Sequence, residues 1–268
     1  MLSAISYLAS YQLSAHSRQL SAGYCCNKTF RLIADSLYCI RKTRLFIYNL
    51  MKSHGNSLIL KRTEARIRRL LGKNAAGHDW WHIHRVRGTA LAIARREGAD
   101  LFIVELAALL HDIADWKFHK GDLNVGPMAA EAWLKKNRVK AEITQKVCQI
   151  IAEISFKGAG VRTAMSTREG RVVQDADRLD ALGAIGIARA FAYGGAKGRV
   201  MYDPSIKPML HKSFQAYKKA RGTTVNHFYE KLLLLKDRMN TKTGRALARK
   251  RHAYMKNFLK TFYREWKP

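Results

Sequence analysis

The dipeptide His111-Asp112 closes an apolar run, Phe102 to Leu110, that otherwise reads as core. Burying an imidazole and a carboxylate at the end of such a run is costly unless something binds them. His82 stands upstream in His82-Ile83-His84-Arg85-Val86, and Asp177 downstream in Asp175-Ala176-Asp177-Arg178-Leu179-Asp180. Together His82, His111, Asp112 and Asp177 form a mixed nitrogen and oxygen donor set for one divalent metal ion with positions left for water and a phosphate oxygen. Such an ion lowers the pKa of water toward neutrality and draws charge from a phosphoryl oxygen, so the expected chemistry is hydrolysis of a phosphoester or phosphoanhydride. These donors do not choose among manganese, magnesium, iron, cobalt, nickel and zinc.

Neighbours on a helix point about 100° apart, so His111 and Asp112 reach one ion only if it sits at a helix end between packed helices. The spacing predicts that kind of architecture. Leu58 to Leu71 has helical apolar spacing and ends at Gly72; Asp79 can cap a helix from Trp80 to Glu97 that stops at Gly98; Asp100 caps the next, to about Ala114. Pro127 is a first-turn proline before Ala129 to Asn137, and a helix over Lys140 to Phe156 ends at Gly158. Ser166-x-x-Glu169 has capping-box form and opens one long helix through Asp177 to about Ala192. Gly194 to Arg199 with Pro204 and Pro208 reads as an irregular loop, followed by helices near Val225 to Met239 and Gly244 to Trp266. The expected fold class is all-α. In this frame Asp79 is explained by capping and His78 by its turn, while His84 faces away from His82, so none of these joins the donor set.

Composition sets outer bounds. A chain of 268 residues with 47% hydrophobic content is large enough for a sizeable core, and no apolar run reaches the ~18 residues that cross a bilayer. No membrane association is expected. Of the cysteines, Cys25, Cys26 and Cys39 precede residue 50 and only Cys148 follows, which excludes a disulfide framework or cysteine zinc site beyond that point and fits a reducing, cytoplasmic setting. The formal charge of +29 attracts anionic substrates. Because Lys and Arg are spread through most of the predicted helices, with Arg245 to Arg251 the one tight cluster, the charge reads as a basic solvated surface before a dedicated nucleic-acid face. Residues 1–50 are Ser-rich with Asp35 as their single acid, and three readings stay open for them: sequence upstream of a start at Met51, a targeting segment, or a loose extension.

The order His82, His111-Asp112, Asp177, set in His82-x-x-Arg85-Val86, Leu109-Leu110-His111-Asp112-Ile113-Ala114-Asp115 and Asp175-Ala176-Asp177-Arg178-Leu179-Asp180-Ala181, resembles the HD-domain superfamily of metal-dependent phosphohydrolases. The resemblance runs from near Leu58 to the C-terminus. The phrases over 77–82, 183–195 and 226–232 are similar to a small bacterial subgroup associated with nucleotide hydrolysis. What the resemblance implies is an HD-domain helical bundle over 51–268, with His82, His111, Asp112 and Asp177 as metal ligands. It further implies proton transfer by Asp115, three residues past Asp112, against the alternative of a helix-end acid paired with Lys117 or Lys120; Glu153 or Asp180 would come next. Arg85, Lys117 and Lys231 are the candidates for neutralising substrate phosphates, while Trp80, Trp81, Phe118 and Phe156 suit core packing more than base stacking. The leading expectation is (deoxy)nucleoside triphosphate hydrolysis with pyrophosphate as one outcome. A nucleoside monophosphate phosphatase and a cyclic-nucleotide phosphodiesterase are alternatives, and a nucleic-acid-binding module with a vestigial metal site is the rival class. A homo-oligomer is compatible with all of them.

Overall fold

The computed structural model describes residues 42–43, 53–72, 79–114, 122–155, 159–161, 163–210, 213, 215 and 222–267. Two compact units divide the chain, Met1–Gly55 and Asn56–Pro268, and the helices that carry the candidate site lie in the second. Among the described residues all regular structure is helical, as expected from the sequence, and no helix is long and apolar enough to cross a membrane.

After a helix over 53–71 (α1), α2 spans Trp80–Glu97. Its start is fixed by Asp79, whose carboxylate accepts from the His82 backbone N–H at 2.9 Å, and its end by Gly98 in the left-handed conformation, φ 67°. Buried Trp80, Ile83, Val86, Ala90, Ile93 and Ala94 recur at helical steps, and His82 shares their face. Asp100 caps α3, Leu101–Leu110, by accepting from Phe102 and Ile103. Buried on nearly every side, α3 is the central helix, packed against α2, α5 and α6 once α4 (Val125–Lys136), α5 (Ala141–Glu153) and α6 (Arg168–Asp180) are in place.

Two expectations fail around α6 for local reasons. The cap is Thr167, whose hydroxyl accepts from Gly170 N–H at 3.0 Å, because Ser166 is engaged with both carboxylate oxygens of Glu153 at 2.9 Å. The single helix expected up to about Ala192 is two: α6 stops at Asp180, and α7, Gly183–Ala196, starts past a corner at Ala181 and Leu182. Apolar spacing runs unbroken through that corner, but Gly183 has φ 76°, open to a residue without a Cβ. Gly186 closes the corner, for a Cβ there would clash with the Ala181 carbonyl.

Helix α7 persists through Gly194 and Gly195, where a loop was expected, and a short α8, Thr224–Glu230, follows further along. The predicted helix to Met239 tightens into a 3₁₀ segment, Leu232–Arg238, after Lys231 leaves helical geometry at φ −142°. Helix α9, Lys242–Trp266, packs on α7, α6 and α2. Its start is tied to α6 by buried Asp175, which accepts from Asn240 N–H at 2.7 Å and from Thr241 N–H and hydroxyl at 2.8 Å.

The corner makes a paired prediction. Gly186→Ala should cost about 1–3 kcal/mol, because backbone must move to admit the methyl group, and the thermal midpoint should fall by several degrees. Gly195→Ala, in the same helix with nothing within 4 Å of the new Cβ, should leave the midpoint unchanged or slightly higher. Scanning calorimetry of both variants checks the contrast.

Candidate metal centre

The site forms where the ends of three helices meet. His82 lies in the first turn of α2, placed there by the Asp79 cap, and is buried. His111 is the residue at which α3 ends, still in right-handed helical geometry at φ −60°, and the chain turns over 111–114, so a point lying off the helix end is within reach of both His111 and Asp112. Asp177 comes from the last turn of α6. The two imidazoles meet edge to face with Nε2 atoms 3.2 Å apart. Asp112 Oδ2 lies 3.5 Å from His82 Nε2 and 3.6 Å from His111 Nε2; Asp177 Oδ1 lies 3.6 and 3.9 Å from the same atoms.

The other ring nitrogens decide what those Nε2 atoms are. His111 Nδ1 bonds the Ala108 carbonyl at 2.9 Å, an acceptor only, so Nδ1 donates and Nε2 turns a lone pair inward. His82 Nδ1 bonds Asp180 Oδ2 at 2.8 Å with the same result. Two imidazole lone pairs and two carboxylates thus converge with their acceptors toward one point, an arrangement that repels itself without a positive charge. Metal–ligand bonds of roughly 2.1 Å place neighbouring donors on the order of 3 Å apart, so the donor set and its spacing fit a divalent cation. The same demand appears in the protonation of His82: burial opposes the imidazolium, yet hydrogen bonds to Asp112 and Asp180 outweigh it and raise the pKa.

Asp180 is the residue whose importance the sequence understated. Burial works against its charge, but hydrogen bonds from His82 and Arg85 and the nearby charge of Arg189 prevail, holding its carboxyl far below the usual range. Arg85 grips it with two nitrogens, Nε to Oδ1 at 2.7 Å and Nη2 to Oδ2 at 3.0 Å, while Arg189 Nη1 reaches Oδ2 at 2.9 Å from α7. The available signal was the three-residue step from Asp177, which puts both acids on one face of α6. Nothing local to the sequence pointed to Arg189.

The remaining candidates fall in different places. Asp115, Lys117, Phe118 and Phe156 lie outside the described residues. Lys231 directly follows α8, whose neighbours are α7 and the 3₁₀ segment. Glu153 holds Ser166, Trp80 is buried in the core, and Trp81 is exposed. Arg178, next to Asp177, is buried, bonds the Arg238 carbonyl and the Thr163 hydroxyl, and has its pKa pushed down to about 10 by burial.

Comparison with known proteins agrees with this architecture. The HD domain family model matches residues 80–182, the stretch from the first residue of α2 to the corner after α6. The chain is 40% identical over 196 residues to the Bacillus subtilis protein YpgQ, covering 72% of this chain and 87% of that one. An HD-superfamily hydrolase from Bacillus thuringiensis superposes with a TM-score of 0.61 at 44% identity, over 79% of this chain and 98% of that one. The structure of Bacillus subtilis YpgQ in complex with ADP superposes with a TM-score of 0.59 at 34% identity, over 77% and 97%. The chain belongs to the HD-domain superfamily of phosphohydrolases, in the small bacterial subgroup typified by YpgQ. It is therefore an HD-superfamily hydrolase with a His and Asp cluster suited to a divalent metal.

The crowded acceptors predict a stability effect. Adding manganese(II) to chelator-treated protein should raise the thermal midpoint, by an amount equivalent to about 2.7 kcal/mol at a hundred times the dissociation constant, and excess chelator should reverse it. Absence of any shift with manganese, magnesium, iron, cobalt, nickel or zinc would mean that the cluster is satisfied without a metal.

Proposed function

We propose that this protein is a metal-dependent nucleotide phosphohydrolase whose preferred substrate is a nucleoside or deoxynucleoside triphosphate, with pyrophosphate as a product. The observation that carries the proposal is the convergence of His82, His111, Asp112 and Asp177 on one point, with both Nδ1 atoms committed elsewhere. Support for a nucleotide comes from a relative, since YpgQ was crystallised with ADP. When bound, a divalent cation would supply Lewis-acid polarisation of a phosphoryl oxygen and acidify water beside it.

The protein's own groups then have separate tasks. His82, His111, Asp112 and Asp177 hold the cation. Arg85, on the same helix as His82 and a third exposed, keeps positive charge at the edge of the cluster where an anionic substrate would approach. Lys117 and Lys231 are further candidates for phosphate charge. Asp115, three residues past Asp112, is assigned to the proton on water or on the leaving oxygen. The domain that does this is taken as 51–268, with 1–50 dispensable. The overall charge of +29 favours polyanions in general, so nucleic acid is the competing ligand.

A screen of nucleoside mono-, di- and triphosphates and cyclic nucleotides with each divalent metal, reading phosphate and pyrophosphate separately, tests the proposal. Pyrophosphate from triphosphates is the expected result; phosphate from monophosphates, or ring opening of cyclic nucleotides, would reassign the substrate. Salt-sensitive nucleic-acid binding with no turnover would favour the rival class. His111→Ala and Asp112→Ala should each abolish turnover, and full activity in either would remove the metal assignment. Asp115→Asn should retain metal and lower the maximal rate by roughly two to four orders of magnitude, whereas a helix-end ion pair predicts a near-normal rate.

A further inference from the structure

The centre contains one carboxylate that does not face the shared point. Asp180 is 4% exposed, sits on the far side of the His82 ring, and gathers donors from two other helices: His82 and Arg85 on α2, and Arg189 on α7. Its oxygens are directed by these partners, with Arg85 Nε on Oδ1 and with Arg85 Nη2, Arg189 Nη1 and His82 Nδ1 on Oδ2. The two guanidiniums, from two different helices, hold the carboxylate on the Nδ1 side of the ring.

The two imidazoles are treated unequally. His111 donates Nδ1–H to a neutral backbone carbonyl of its own helix, a local bond that any helix end can supply. His82 donates Nδ1–H across helices to a carboxylate, which pulls harder on the proton and leaves Nε2 the more basic donor. It also depends on the corner after α6, because Asp180 is the last residue of α6 and Arg189 lies on the helix beyond.

We propose that Asp180 is the positioning residue of the metal centre: braced by Arg85 and Arg189, it fixes the His82 tautomer and ring orientation so that Nε2 is presented to the cation. The inference rests on the metal-centre reading above. Asp180 touches neither substrate nor metal in this scheme and acts through His82. Arg85, assigned above to substrate charge, gains a second duty as part of the brace.

The test is the affinity of the full-length, chelator-stripped protein for manganese(II), measured from free manganese by electron paramagnetic resonance, in wild type, Asp180→Asn, Asp180→Glu, Arg189→Gln and His111→Ala. Asp180→Asn should weaken manganese about 10- to 100-fold while keeping the helical circular dichroism of the wild type. Asp180→Glu, which keeps the charge, should recover part of that loss, and Arg189→Gln should show a smaller loss. A merely structural role predicts a lower thermal midpoint with manganese affinity unchanged within twofold, and that result overturns the inference. Loss of manganese in His111→Ala alone leaves the centre standing and removes Asp180 from it; wild-type affinity in both variants removes the centre itself. If Asp180→Asn does not fold, long-range proton–nitrogen spectra of the wild type decide: His82 protonated at Nδ1 and not at Nε2 when zinc is bound supports the inference, and the opposite tautomer overturns it.

Discussion

The bond between His82 on α2 and Asp180 at the end of α6 is the constraint around which the rest of this domain is arranged. Burying an imidazole and a carboxylate from different helices is tolerable only when each finds its complement, so the ends of the helices must be placed to within a fraction of an ångström. The Asp79 cap sets where α2 begins, and the Gly183 corner sets where α6 must stop. Helix α3 is apolar on nearly every side and slots between them, which brings His111 to the same spot as a helix end. Each device is local, yet they act on one point.

The excess of positive charge also acquires a structural meaning. Several arginines are spent on the fold: Arg87 joins Glu64 on α1 to Glu105 on α3, Arg251 donates to the Leu179 carbonyl, and Arg238 donates to carbonyls of Ala159 and Val161. With 49 basic and only 20 acidic residues, guanidiniums outnumber carboxylates and turn to backbone carbonyls instead. A guanidinium suits this use because its fork of donors stays charged even when half-buried. A net charge therefore overstates how much cationic surface is offered to a ligand.

The extent of the similarity to relatives has a physical counterpart. The HD domain match stops at Leu182, in the corner, so it contains His82, His111, Asp112, Asp177 and Asp180 but not Arg189. Superposition on solved relatives extends much further, over 77% to 79% of the chain, because α7 and α9 seal α6 and complete the core. Phe191 of α7 meets Phe228, Phe258 and Phe262 there, an aromatic cluster that fixes α7 against α9 and with it the guanidinium of Arg189. The C-terminal helices thus support the centre without contributing any of the candidate ligands.

Helix identity and the chemistry of the donor set were legible in the sequence, because both are written in short-range patterns. Asp79 and Gly98 bound α2 where capping rules put them, and the order of His82, His111-Asp112 and Asp177 already implied a site at helix ends. Where the sequence misled, competition between local signals was the cause: Ser166 had the form of a cap but was claimed by Glu153, and apolar spacing concealed the break at Ala181. The tertiary structure alone decided which carboxylate stands behind His82 and which arginines hold it, since Arg85, Arg189 and Asp180 lie on three helices. A tautomer depends on what lies across from a ring in space, and no spacing along the chain encodes that.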